Sequence, residues 1–169
     1  MNGERLLICG PRDLDISYEV IDSAIDDFQS CGFISTITVL INGRAKGVDT
    51  SAYNWAMKNG LNVDSYPITS NDWKTIGRAA GFVRNKKMLV DGKPTIVVAF
   101  RNRSTNGTSM MLKLATNAGI KTQVIAVGDD GKRAIGFGPA PVRTEGGVIG
   151  PDDVRHYRPY KPDESEGRE

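Results

Sequence analysis

The sequence predicts an α/β fold, a doubly wound sheet of about five parallel strands with helices on both faces. Three observations carry this. Short aliphatic runs alternate with longer segments whose apolar residues recur at helical spacing. The alternation holds from residue 6 to residue 127, so each helix carries the chain back across the sheet and the next strand runs parallel to the last. The loops that leave the first, second and fourth strands are rich in glycine, as ligand-binding strand ends are.

The elements follow in order. Leu6-Leu7-Ile8-Cys9 is a buried strand stopped by Gly10-Pro11. Ile16, Val20, Ile21, Ala24, Ile25 and Phe28 mark the apolar face of a first helix, with Asp13 or Asp15 available to cap it and Gly32 to end it. Ile37–Ile41 is the second strand, stopped by Asn42-Gly43. The second helix runs from about Val48 to Lys58, with Ala52, Trp55 and Ala56 inward and Asn59-Gly60 as its stop. Asn62 to Pro67 is a weaker, polar strand suited to a sheet edge. Ile76, Ala80, Val83 and Met88 suggest one helix reaching Val90. Thr95–Phe100 is the strongest strand in the chain. Met110, Met111, Leu114, Ala115 and Ala118 give the stripe of a last helix, closed by Gly119, and Thr122–Val127 supplies the fifth strand. The expected architecture is Rossmann-like.

Of the 169 residues, 39% are apolar and 25% charged, enough for a real core. Residues 1–128 are read as one domain. From 129 to 169 glycine and proline interrupt every pattern, and an irregular C-terminal extension is expected, with room for a short hairpin. The two cysteines, Cys9 and Cys31, have no metal or disulfide spacing, and Cys9 sits in an apolar run as a buried thiol would. The single histidine, His156, falls in the extension, which argues against a histidine metal centre or a Ser-His-Asp triad. No metal or cofactor is expected. There is no membrane-length apolar stretch and no signal-peptide layout at the N-terminus, so a cytoplasmic location is expected.

The net charge of +2 conceals a pattern. Residues 28–128 carry 13 basic and 4 acidic side chains, and the same segment holds most of the glycine loops. Such a balance suits an anionic ligand, or simply a solvated basic surface. Three loops are candidates. Gly10-Pro11-Arg12 offers close backbone approach and a bidentate cation. Gly43-Arg44-Ala45-Lys46-Gly47-Val48-Asp49 offers two glycines, two cations and a helix N-terminus, with Asp49 either capping that helix or holding a ribose hydroxyl. Gly107-Thr108, at the start of the last helix, either completes a phosphate cradle or caps the helix. Arg84, one turn before Met88, either enters the cleft or joins Lys86 and Lys87 on a solvated face.

Taken together, these segments resemble the SLOG superfamily, named for the Smf/DprA and LOG proteins, in its YspA/YpsA-related branch. The elements that carry the resemblance are Gly10-Pro11-Arg12, Gly43 to Asp49, Asp72-Trp73, Ala80-Gly81 with Arg84-Asn85 and Met88, and Gly107-Thr108. They cover about residues 5–127; the extension has no counterpart. The resemblance implies a Rossmann-like fold that binds nucleotides or their derivatives, with Gly10, Pro11, Arg12, Gly43, Arg44, Lys46, Gly47, Val48, Asp49, Arg84, Asn85, Gly107 and Thr108 as ligand-binding residues. LOG relatives hydrolyse the N-glycosidic bond of nucleoside 5′-monophosphates with a cleft arginine and a Gly-Thr-x-x-Glu loop. Arg84 matches that arginine, whereas the glutamate position falls on Met111. An enzyme would therefore need another carboxylate to stabilise the charge that builds at the anomeric carbon, with Asp49 as its candidate beside Arg84. Other SLOG proteins sense or sequester nucleotide-derived signals, a role that needs only the cradle, and this is the function expected here. A DprA-like role on single-stranded DNA would call for exposed aromatics along a basic groove. The aromatics here map mostly to helices and the extension, so nucleic acid is not the expected partner. By the same resemblance a homodimer or higher homo-oligomer is expected.

Overall fold

The structure, a computed structural model, describes residues 3–103 and 105–133. Five parallel strands form one sheet in the order β3-β2-β1-β4-β5. They are β1 (Glu4–Cys9), β2 (Ile37–Asn42), β3 (Asn62–Ser65), β4 (Ile96–Arg101) and β5 (Lys121–Ala126). The helices are α1 (Tyr18–Ser30), α2 (Val48–Lys58), α3 (Ser70–Ile76), α4 (Ala80–Val90) and α5 (Asn106–Asn117). The doubly wound α/β architecture is the one expected, and the polar strand β3 does lie at an edge, paired only with β2.

Alternate residues of the central strands feed two cores, because successive side chains of a strand point to opposite faces. Leu6, Ile8, Leu40, Val98 and Phe100 pack beneath α1 and α2, with Phe28 and Trp55 filling that layer. Leu7, Cys9, Ile41, Val97 and Ala99 face the other way, against Met88 of α4 and Met111, Leu112 and Ala115 of α5. This two-sided burial explains why β1 and β4 read as continuous apolar runs rather than alternating ones. Helices α1, α2 and α5 end alike, with Gly32, Gly60 and Gly119 at positive φ just past the last turn.

Three expectations need correction. Ser17, not Asp13 or Asp15, occupies the N-cap of α1, and Asp13 instead pairs with Arg103. The single helix expected up to Val90 is two helices separated by a 3₁₀ turn, Gly77–Ala79, with Gly77 at φ 54°. Ile76 and Val83 are 41% and 46% exposed, so they were never part of one core stripe; Ala80, Asn85 and Met88 are the inward positions of α4. On α5 the buried stripe is Thr108, Met111, Leu112 and Ala115, while Ala118 is exposed. Helix α3 buries no residue at all. It begins with a full capping box, in which the Thr69 hydroxyl accepts from the Asp72 N–H at 3.1 Å and the Asp72 carboxylate accepts from the Thr69 N–H at 2.7 Å.

After β5 the chain turns tightly through Gly128–Gly131, and Val127 and Arg133 form an antiparallel bridge. The rest of the Gly/Pro-rich extension, including His156, lies outside the described residues. Among the described residues no helix is long and apolar enough to cross a membrane.

Candidate functional site

The strand order reverses at β1. Its successor β2 lies on one side and β4 on the other, so the loops leaving β1 and β4 diverge and open a crevice. A cavity of about 280 Å³ lies there. Gly10, Pro11 and Arg12 line it from the β1 loop, Ala45 and Asp49 from the β2–α2 segment, and Arg84 and Asn85 from α4. Thr105, Gly107 and Thr108 enclose it from the start of α5. Its floor is apolar, made of Cys9, Met88 and Met111.

Eight of the residues picked out from sequence thus meet around one space: Gly10, Pro11, Arg12, Asp49, Arg84, Asn85, Gly107 and Thr108. The other five, Gly43, Arg44, Lys46, Gly47 and Val48, do not line it. Arg44 and Lys46 are exposed, and the Arg44 guanidinium sits 3.7 Å from the centroid of the Tyr53 ring. The loop after β2 is therefore a holder rather than a source of cations. The Gly43 carbonyl accepts from Arg84 Nη1 at 2.6 Å. Asn42, fully buried at the end of β2, donates to the Asp49 carbonyl at 2.9 Å and accepts from the Arg44 N–H at 2.8 Å, closing the loop on itself. Gly47, at φ 72°, lies so close to the next loop that a Cβ there would fall 2.5 Å from the Pro11 carbonyl oxygen. Only glycine reconciles that backbone with that approach. Val48 is completely buried, and its N–H reaches Pro11 O at 3.4 Å.

Asp49 is not a cap. Gly47 takes the N-cap of α2, and the Asp49 carboxylate turns back to accept from the Ala45 N–H at 3.1 Å. Its Oδ2 is 3.9 Å from Arg84 Nη1. Burial raises the Asp49 pKa above the ordinary carboxylate range, outweighing the Ala45 N–H, Arg84 and Arg12, all of which favour the anion. Burial likewise lowers the pKa of Arg84, and Asp49 opposes that shift. Arg84 faces the cleft, not solvent; Lys86 and Lys87 are the exposed cations of α4. Asn85 ties the two sides together. It accepts from Arg84 Nε at 3.0 Å and donates to the Gly107 carbonyl at 3.2 Å. Cys9 is no nucleophile here, since burial pushes its thiol pKa far up.

The first turn of α5 opens on the cavity, and the leading N–H groups of a helix have no acceptor within it. That end attracts anions, and Arg12 and Arg84 add two cations against the carboxylates of Asp49 and Asp13, the latter already paired with Arg103. Thr105 and Thr108 are joined through their hydroxyls at 2.9 Å beside it. One feature escaped the sequence: the apolar floor looked like ordinary core. In the sequence Trp73 on α3 figures only in the Asp72-Trp73 motif and has no place in the site, yet its ring centroid lies 5.8 Å from the Arg12 guanidinium carbon.

The fold and the position of this crevice define an α/β protein of the doubly wound class. Among solved structures, DNA processing protein A (DprA) from Streptococcus pneumoniae is similar to it, with a TM-score of 0.52 and 17% identity over 74% of this chain and 50% of that one. The chain spans about half the length of that protein, and the likeness is one of fold. It agrees with the doubly wound α/β fold expected from the alternation of strands and helices. No protein-family model matches the sequence, and no curated protein matches it significantly.

Proposed function

We propose that the protein binds a phosphorylated nucleoside derivative in this cavity, as a sensor or sequestering module of the YspA/YpsA-related type. One observation carries the proposal: Arg12, Arg84 and the N-terminal turn of α5 converge on a single apolar-floored space at the sheet's switch point. Phosphate suits the cations and the helix end. Asp49 is at hand for a ribose hydroxyl. The volume of about 280 Å³ is at the small end of small-molecule sites, so it fits one nucleotide unit rather than a strand of DNA. Gly43, Arg44, Lys46, Gly47 and Val48 then belong to the site's support. The test is a panel of nucleoside monophosphates, NAD, ADP-ribose and cyclic nucleotides, followed by thermal shift and by mass spectrometry of the ligand. At a hundredfold excess over Kd a ligand stabilises the native state by about 2.7 kcal/mol, which is several degrees of Tm. Stabilisation with the ligand recovered intact is the expected result; no stabilisation by any member refutes the proposal.

A second reading, hydrolysis of the N-glycosidic bond, is favoured by one observation. Asp49 and Arg84 share the cavity even though Met111 stands where LOG relatives carry their glutamate. Release of free base that disappears in both Asp49→Asn and Arg84→Ala would establish it. The same motifs suggest a homodimer or higher homo-oligomer, and the exposed Phe82 and Val83 of α4 offer an apolar face for it. Sedimentation at graded concentrations measures that directly.

A further inference from the structure

Trp73 presents an unusual combination. It is 43% exposed, although an indole is costly to leave in water. Its helix, α3, has no buried residue, so Trp73 is not there to anchor the helix to the core. The capping box of Thr69 and Asp72 closes the first turn of α3 through hydrogen bonds within the helix itself. Among the described residues its ring meets Arg12, whose guanidinium carbon lies 5.8 Å from the ring centroid, near the outer limit for a cation–π contact. Arg12 is itself a wall of the cavity. The indole therefore stands beside a wall of the cavity, with the Arg12 guanidinium over its ring.

Arg12 has two competing partners once a phosphate is present. A charge-assisted, bidentate bond to phosphate is stronger than a solvent-exposed cation–π contact at the edge of its range. Phosphate binding thus draws the guanidinium inward and uncovers the indole. The group that a nucleotide carries beyond its ribose is a planar heterocycle, and an indole is the best natural surface for stacking one.

We infer that Trp73 is the platform on which the base of the bound nucleotide stacks, occupying the indole face that the Arg12 guanidinium otherwise covers. This rests on the proposed phosphate site. It adds a division of labour: the first turn of α5, Arg84 and Arg12 take the phosphate, and Trp73 takes the base. Because every base has a flat face, Trp73 sets the requirement for a base rather than the choice among bases.

The experiment uses the full chain as wild type, Trp73→Ala and Trp73→Phe, titrated with AMP, GMP, CMP, UMP, ribose 5-phosphate and inorganic phosphate. Calorimetry and tryptophan fluorescence are the readouts. Trp55 is buried and common to all three proteins, so a quench seen in wild type and absent from Trp73→Phe belongs to Trp73. At least one nucleoside monophosphate should bind wild type roughly tenfold or more tightly than ribose 5-phosphate does, the size expected of one stacked base. That nucleotide should quench Trp73, and ribose 5-phosphate should not. Trp73→Ala should erase the tenfold advantage while ribose 5-phosphate binds no more weakly than to wild type, since Arg12 loses its competing partner, and Trp73→Phe should keep part of the advantage. If nucleotides bind both variants as tightly as wild type, or if ribose 5-phosphate quenches equally, stacking is refuted while the phosphate site stands. If nothing phosphorylated binds, the phosphate site fails and the stacking inference falls with it.

Discussion

Arg84 Nη1 lies 2.6 Å from the carbonyl oxygen of Gly43, and this contact fixes the only cation that reaches the cavity from α4 among the described residues. A Cβ on residue 43 would overlap Nη1 itself and approach Asp49 Oδ2 to 2.8 Å. Glycine here keeps a place for the guanidinium.

Gly43→Ala is therefore expected to move Arg84 while leaving the sheet intact. The loss of stability should stay within the ordinary range of about 0.5–3 kcal/mol. Affinity for a phosphorylated ligand should drop at least tenfold, or about 1.4 kcal/mol. Urea unfolding and calorimetry on the same samples separate the two effects, and an undiminished affinity would remove Arg84 from the ligand's contacts.

Gly47→Val and Arg12→Ala should behave as opposites. At φ 72°, with Pro11 and Arg12 backbone atoms 2.5–2.7 Å from a new Cβ, valine meets strain of about 1–3 kcal/mol plus a clash that rigid backbone cannot relieve. Its melting temperature should fall sharply, so binding lost there reports loop packing. Arg12 is exposed, and its removal should change stability by no more than about 0.5 kcal/mol while weakening ligand binding. Equal melting temperatures for the two variants would contradict this account.

Asp49 carries a pH signature. Burial raises its pKa in the folded protein, so the native state holds this proton more tightly than the unfolded chain does. Its contribution to stability is then fullest below the unfolded carboxylate value of about 3.9 and declines as pH rises through the folded value. Asp49→Asn, which keeps an acceptor for the Ala45 N–H, should flatten that decline. Urea unfolding of both proteins from pH 4 to 8 should show wild type losing stability relative to the variant as pH rises; the reverse slope would mean that Arg84 and Arg12 outweigh burial.

Thr69→Ala removes the capping box of a helix with no buried side chain. A lost cap costs about 0.5–2 kcal/mol, and here the loss should appear as local opening of residues 70–76 rather than as a shift in global unfolding. Amide hydrogen exchange is the check, with faster exchange confined to α3 as the expected pattern.

The strands were legible because β1 and β4 are apolar on both faces and end at Gly10-Pro11 or a charged turn, and a run of that kind has few other homes. The strand ends then located Gly10, Arg12, Gly107 and Thr108, since ligand sites of this architecture lie there. Arg44 and Lys46 misled because loop composition says nothing of where a long side chain points; Tyr53, nine positions after Arg44, settles it. Asn85 came only through the family motif, because its worth lies in reaching Gly107 on another helix, which local pattern does not show. Helix α3 was overlooked because it buries nothing and so has no apolar period to read, although Thr69 and Asp72 are spaced as a capping box.

The strand order also has a consequence for biosynthesis. Arg5 and Thr95, hydrogen-bonded neighbours at the foot of β1 and β4, are 90 positions apart in the chain. A nascent chain that has released β1, β2 and β3 still carries β1 with one unpaired edge, its apolar side chains awaiting α4 and α5. Such an edge invites pairing with other chains until it is covered. The seam at which the ligand loops part thus stays open on the ribosome until β4 has emerged, well after β2 and β3 have joined β1, and the stretch from Leu6 to Cys9 is where premature release or slow elongation would first seed aggregation.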